Sequence, residues 1–97
     1  MSVMQNHQVN VLVVDSDANV RSQVYEALVA DGYACRAVAS AAEAQEAYVE
    51  KAPNLLIMDM NLDDGSGLDL YAKLNRENAC PVLFTSGSRM PETVQRA

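Results

Sequence analysis

Two short apolar runs, each ending on an aspartate, most constrain how this chain can fold. The first covers residues 9–15 and ends on Asp15, and the second covers residues 55–58 and is followed by Asp59. Neither run alternates polar with apolar positions, which is typical of strands buried on both faces of a parallel sheet. The two runs therefore predict two central strands with an acidic residue at the carboxyl end of each.

Helical patterns separate the predicted strands. Asp17 is a predicted N-cap, and the apolar residues that follow it recur at helical spacing until Asp31-Gly32, where the glycine favours a helix end. Ser40 and Glu43 have the spacing of a capping box. They predict a second helix over residues 41–51.

The remaining segments complete an alternation of strands and helices. Residues 33–38 and 82–84 predict two further strands, residues 61–67 a loop without regular structure, and residues 68–75 a third helix. Such an alternation predicts a parallel sheet with right-handed crossovers and helices on both faces. The predicted fold class is α/β, with three layers and with Asp15, Asp59 and Ser86 meeting at the carboxyl edge of the sheet.

Composition and charge narrow the functional classes. The chain has 97 residues, 49% of them hydrophobic, which suits one compact domain. Its net charge of -6 disfavours direct binding to nucleic acid and to anionic membranes. No apolar run approaches the roughly twenty residues of a membrane span, and the first seven residues are too polar for a signal peptide. We expect a cytoplasmic domain at residues 9–97 behind a flexible leader at residues 1–8.

Two carboxylates in one crevice repel each other unless a cation compensates them. Mg²⁺ takes oxygen ligands, and Asp15, Asp59 and a backbone carbonyl near Asn61 form a suitable set. A carboxylate can attack phosphorus when a metal and hydrogen-bond donors absorb the charge of the transferring group. We therefore expect Asp59 to be the nucleophile, with Ser86 as a donor to the phosphoryl oxygens.

These segments, in order, resemble a CheY-like receiver domain of bacterial two-component response regulators. The resemblance implies a flavodoxin-like doubly wound sheet of strand order 2-1-3-4. It also implies a phosphoacceptor at Asp59, a Mg²⁺ site formed by Asp15, Asp59 and the main-chain carbonyl of Asn61, and a switch hydroxyl at Ser86. The segments that carry it are the strand ending Val13-Val14-Asp15, then Leu56-Ile57-Met58-Asp59-Met60-Asn61-Leu62, Gly65-Ser66-Gly67-Leu68-Asp69-Leu70 and Pro81-Val82-Leu83-Phe84-Thr85-Ser86-Gly87.

The resemblance also implies partners. A sensor histidine kinase or a phosphotransfer protein would donate the phosphoryl group, so the chain would be a signalling module and not an enzyme. An output domain would belong to a longer chain.

The sequence departs from the receiver pattern in three places. Ser16 stands where receivers usually carry a second acid, so metal affinity is expected to fall, and Asp17 is expected to cap a helix more than to replace that acid. Asp63, where receivers often have a proline, and Asp64 add negative charge beside the phosphoacceptor. The fifth strand with its lysine and the fifth helix are not in the sequence, so we expect an incomplete receiver that self-associates through the exposed edge of its fourth strand.

Two alternatives remain open. A degenerate receiver would serve as a phosphorylation-independent protein-interaction module. A phosphatase is a third reading, because Asp15-Ser16-Asp17 after an apolar strand is similar to the first motif of haloacid-dehalogenase-type enzymes, although Asn19 replaces the threonine-like third position of that motif.

Overall fold

The computed structural model describes residues 9–74 and 80–85. Within them the elements are, in chain order, β1 Asn10–Val14, α1 Ala18–Ala30, β2 Ala34–Val38, α2 Ala41–Glu50, β3 Leu55–Asp59, β4 Asn61–Leu62, β5 Gly65–Ser66, α3 Gly67–Leu74 and β6 Val82–Thr85. The main sheet has four parallel strands in the order β2-β1-β3-β6, connected by the helices. A small antiparallel pair, β4 and β5, follows β3.

This architecture confirms the predicted α/β class and the flavodoxin-like order, with β6 as the fourth strand of the main sheet. One prediction was wrong, because residues 61–67 were expected to lack regular structure. Four of them instead form β4 and β5, with Asn61 opposite Ser66 and Leu62 opposite Gly65. The helix expected from residue 68 begins at Gly67. The proposed leader, Ser86 and the start of a fourth helix lie outside the described residues.

Strand β1 is buried on both faces, as its unbroken apolar sequence predicts, whereas β3 is fully buried on one face and half-buried at Leu55 and Ile57 on the other. All five residues of β1 are buried. Alternate residues of a strand point to opposite faces, and the larger core cluster lies on one face, where residues of α2 and α3 cover the sheet. Helix α1 packs on β1 and β2. The members of that cluster are Leu12, Val14, Ala44, Tyr48, Leu56, Met58, Leu62, Leu70 and Cys80.

Local caps define where the helices begin and end. Asp17 caps α1 by accepting from the N–H groups of Asn19 and Val20 at 2.9 and 3.2 Å. The predicted stop at Gly32 is also confirmed, since this residue has φ 95° and its N–H donates to the carbonyl of Val29. These interactions join neighbours in sequence, which is why residue type alone could predict them.

Helix α2 begins at the predicted capping residue. The Ser40 hydroxyl accepts from the Glu43 N–H at 3.1 Å. The Glu43 carboxylate accepts from Ala39, one residue before the expected partner in a capping box.

Arg36, on edge strand β2, ties the sheet to the end of α2. Its guanidinium donates to the carbonyls of Ala47 and Lys51 at 2.9 and 2.6 Å, and to the side-chain oxygen of Asn10 at 3.2 Å. The last carbonyls of a helix have no partners within the helix. Arg36 therefore adds charged donors at the C-terminus of α2, where the Ala47 carbonyl also accepts from the Lys51 N–H at 3.0 Å, a role the sequence pattern did not reveal.

The other edge of the described sheet is β6. Leu83 on this strand is 57% exposed, although it is a large apolar residue in a parallel sheet.

In the described part of the chain, no helix is both long enough and apolar enough to cross a membrane.

Candidate functional site

Asp15 and Asp59 lie side by side at the carboxyl edge of the sheet. The register of β1 and β3 pairs Val14 with Met58, so the two aspartates follow at adjacent positions on neighbouring parallel strands. Only 3% of Asp15 and 8% of Asp59 is exposed. The fold thus brings together the two acids that the sequence places after separate strands.

The electrostatics of Asp15 reflect this placement. Burial raises the pKa of Asp15, the Asp17 N–H that its carboxylate accepts lowers it, and the negative charge of Asp59 raises it again. The smaller influence of Arg21 lowers this pKa. The net effect is a raised pKa, because desolvation and a neighbouring anion both disfavour the charged form.

Local turns orient both carboxylates. Asp15 Oδ1 accepts from the Asp17 N–H at 2.9 Å, and Asp59 Oδ1 accepts from the Asn61 N–H at 3.0 Å. Arg21 Nη1 donates to the main-chain carbonyl of Asp15 at 2.8 Å, not to its carboxylate. One oxygen of each carboxylate is therefore held by the main-chain N–H of the residue two positions later in the sequence.

The donor set suits a hard divalent cation that keeps several waters. In residues 9–74 and 80–85, no three His, Cys, Asp or Glu side chains gather as a metal cluster. Two adjacent buried carboxylates, with main-chain oxygens close by in sequence, still match Mg²⁺, which uses one or two protein carboxylates. The mutual repulsion of Asp15 and Asp59 is the feature that such an ion would relieve.

Ser16 and Asp17 do not supply a third carboxylate. The Ser16 hydroxyl donates to the Ala39 carbonyl and accepts from the Asp63 N–H, both at 3.0 Å. Asp17 is exposed and caps α1, as expected, and this does not favour the phosphatase reading, in which it would act in the crevice.

Asp64 has a structural role that the sequence did not suggest. Its carboxylate accepts from the first N–H groups of α2, those of Ala41 and Ala42, at 2.8 and 3.2 Å. These two hydrogen bonds lower the pKa of Asp64 below its usual value. The negative charge of Asp64 is thus directed at a helix N-terminus, where it is favourable.

Gly67 packs directly behind the proposed phosphoacceptor. Its N–H donates to the Met60 carbonyl at 2.8 Å. A Cβ at this position would overlap the Asp59 carbonyl oxygen and lie 3.1 Å from Met60 Cα. The sequence placed this glycine in a loop without regular structure, but the structure requires it for close approach of two backbone segments.

The hydroxyl expected at the end of the fourth strand belongs to Ser86, which lies outside the described residues. Its neighbour Thr85 pairs with Asp59 in the sheet register and accepts from the Met60 N–H through its carbonyl at 2.9 Å. The Thr85 Oγ1 atom is buried and has no hydrogen-bond partner in the described part of the chain. The Thr85 hydroxyl therefore lies on the strand position next to Asp59.

Comparison with known proteins gives a consistent family. The family model of the response regulator receiver domain matches residues 11–97. The chain is 31% identical over 67 residues to the phosphate regulon transcriptional regulatory protein PhoB of Pseudomonas aeruginosa. This match covers 69% of the chain but only 29% of PhoB, so the chain spans less than a third of that relative.

Solved structures show the same similarity in three dimensions. The chain is similar to a CheY-like receiver domain from Methylobacillus flagellatus, with a TM-score of 0.75 and 25% identity over 84% of this chain and 71% of that one. It is also similar to the non-phosphorylated HemR receiver domain of Leptospira biflexa. There the TM-score is 0.74 and the identity 28%, over 90% of this chain and 72% of that one.

Proposed function

This chain belongs to the response regulator receiver domain family, and on that premise we propose that it accepts a phosphoryl group on Asp59 from a histidine kinase or a phosphotransfer protein. The observation that carries the proposal is the pair of buried carboxylates at the ends of β1 and β3. Two buried anions at adjacent positions are costly for folding. A site that binds a cation and a phosphoryl group would explain why two carboxylates are buried side by side.

Asp59 is the nucleophile in this proposal. Because its Oδ1 accepts from the Asn61 N–H, Oδ2 is the oxygen available to attack phosphorus. A bond forms between Oδ2 and phosphorus while the bond from phosphorus to the donor's nitrogen breaks, and the donor histidine keeps the electron pair. Asp15, Asp59 and the main-chain carbonyl of Asn61 would hold Mg²⁺, which neutralises charge on the phosphoryl oxygens.

The hydroxyl of the residue that follows β6 completes the site in this proposal. Ser86 is the switch hydroxyl in this proposal and donates to a phosphoryl oxygen. Such a donor stabilises the charge that spreads over the oxygens during transfer. Its engagement would shift the population of conformations, which is how a receiver converts phosphorylation into a signal.

Receiver domains are signalling modules, and the proposed role of this chain is to relay a phosphoryl signal, not to turn over a substrate. PhoB is described as a transcriptional regulatory protein. By analogy, an output domain in a longer chain would receive the signal, and the exchange would take place in the cytoplasm. The exposed Leu83 edge supports self-association as a further part of the proposal.

The direct test is phosphorylation by acetyl phosphate in the presence of Mg²⁺, followed by intact-mass measurement. The wild-type chain should gain the mass of one phosphoryl group, and Asp59→Asn should gain none. Phosphorylation of Asp15→Asn should respond much less than that of wild type to added Mg²⁺. Asp69→Asn, which removes an exposed acid from α3, is the matched control and should behave as wild type.

The alternative of a phosphorylation-independent interaction module predicts a different result in the same assay. A folded wild-type chain that gains no mass at any Mg²⁺ concentration would rule out the phosphoacceptor role. Turnover of a generic phosphate ester that survives Asp59→Asn but not Asp17→Ala would instead support the phosphatase reading.

A further inference from the structure

The Ser16 hydroxyl joins three loops at the carboxyl edge of the sheet. It donates to the Ala39 carbonyl, 23 residues away in sequence, and accepts from the Asp63 N–H, 47 residues away. We propose that Ser16 is a positioning residue for the phosphoacceptor site and acts by holding the backbone that follows Asp59. This inference rests on the proposed function and gives the departure at position 16 a role of its own.

A hydroxyl suits this bridge better than the acid that receivers usually carry at this position. Serine can donate and accept at the same time, whereas an ionised carboxylate only accepts. An aspartate here would present a negative charge to the Ala39 carbonyl oxygen. The bridge therefore depends on the residue type that departs from the family pattern.

The bridge acts on the segment that provides the proposed main-chain ligand. Asp63 lies two residues after Asn61, in the turn that joins β4 to β5. The next residue, Asp64, binds the N-terminus of α2 through its carboxylate. The Asn61 N–H is held by Asp59 Oδ1. The segment from Asp59 to Asp64 is thus anchored at both ends before any ligand binds.

Anchoring in advance lowers the cost of binding. A ligand that must order a loose segment loses part of its affinity to the conformational entropy of that segment. Without the Ser16 bridge, the Asp63 N–H would lose its partner, and Mg²⁺ would have to order more of the segment that carries the Asn61 carbonyl. Loss of one such hydrogen-bonded bridge should raise the Mg²⁺ concentration for half-maximal phosphorylation by about threefold to tenfold. The rate at saturating Mg²⁺ should change by less than about twofold, because no group that touches the phosphoryl is removed.

The test compares Ser16→Ala and Ser16→Thr with wild type, using the 97-residue chain. Ser22→Ala, which removes an exposed serine of α1, is the control. Amide exchange at Asp63, measured by NMR without Mg²⁺, reports on the bridge itself. The Mg²⁺ dependence of phosphorylation by acetyl phosphate reports on positioning. We expect faster exchange and a higher Mg²⁺ requirement for Ser16→Ala, and near wild-type behaviour for Ser16→Thr and Ser22→Ala.

Two results would overturn the inference while leaving the proposed function intact. One is a Ser16→Ala chain whose Mg²⁺ curve matches that of an active wild type, and the other is unchanged exchange at Asp63. A wild type that takes up no phosphoryl group would instead overturn the proposed function. If the alanine variant does not fold, Ser16→Cys keeps the size of the side chain while weakening both hydrogen bonds, and it should show a smaller shift in the same direction.

Discussion

Gly67→Ala tests how closely the third helix must approach the proposed phosphoacceptor. The added methyl would overlap the Asp59 carbonyl oxygen and press on Met60 Cα and the Asp59 carbonyl carbon, at 3.1 and 3.2 Å. All three are backbone atoms of β3 and the residue after it, so a side-chain rotation cannot relieve the contact. Either α3 moves away from the sheet or Asp59 is displaced.

The expected loss follows from two opposing effects. Overpacking typically costs about 1–3 kcal/mol, and an obstacle made of backbone atoms puts this site near the upper value. Replacing glycine with alanine in a helix returns up to about 1 kcal/mol by reducing the entropy of the unfolded chain. The net loss in unfolding free energy is about 2 kcal/mol. For a chain of this size that lowers the Tm by roughly 8–16 °C.

Thermal unfolding followed by circular dichroism measures the effect. Ala72→Gly, on the exposed part of α3, calibrates helix propensity alone and should cost about 1 kcal/mol without a steric contribution. Phosphorylation of folded Gly67→Ala should also be slower, because the backbone of Asp59 must shift. A Gly67→Ala chain with an unchanged or higher Tm would refute the close approach of Gly67 to Asp59.

Three further outcomes follow from individual side chains. Arg36→Met should lower the unfolding free energy by about 2 kcal/mol in urea titration, since the last carbonyls of α2 lose charged donors; an unchanged midpoint would contradict this. Thr85→Val should raise the unfolding free energy by about 1 kcal/mol, because a buried hydroxyl without a partner in the described residues becomes a methyl. A loss of stability would show that this hydroxyl is bonded. Asp15→Asn should stabilise the chain at pH 7. The raised pKa of Asp15 means that its ionised form opposes folding above the folded-state pKa, and this penalty disappears as the pH falls toward 3.8, the usual pKa of an aspartate. An advantage of Asp15→Asn that persists at pH 3 in urea titrations would contradict the assigned cause.

The parts of the fold that the sequence predicts are those whose causes are local or repeated. A central strand covered on both sides by helices leaves an unbroken apolar run, so β1 and β3 could be recognised without a structure. The caps at Asp17 and Ser40 join residues only two or three positions apart. Placement of Asp15 beside Asp59 also follows, because acids at the carboxyl ends of neighbouring parallel strands must meet at one edge.

The features that the sequence does not predict depend on contacts between residues far apart in the chain. Nothing in the residue pattern pairs Asp64 with the start of α2 or Arg36 with its end. The bridge made by Ser16 spans 47 residues, and substitution of an acid by serine suggested only a lost ligand. Gly67 was ambiguous for another reason, since a glycine before a helix can serve either flexibility or close packing.

Three unfavourable features of the described residues lie together at the carboxyl edge of the sheet. Asp15 and Asp59 are buried beside each other, and the Thr85 hydroxyl beside them is buried without a partner in the described residues. Elsewhere, the Asn10 side chain and the Arg36 Nη atoms are hydrogen-bonded, while Arg36 Nε is buried without a partner in the described residues. A fold selected for stability alone would replace such groups, because apolar substitutes of similar size are neutral or stabilising. These groups lie around Asp59, beside backbone that Ser16 and Asp64 hold in place. This is the pattern expected at a binding site, where residues unfavourable for stability are kept for function.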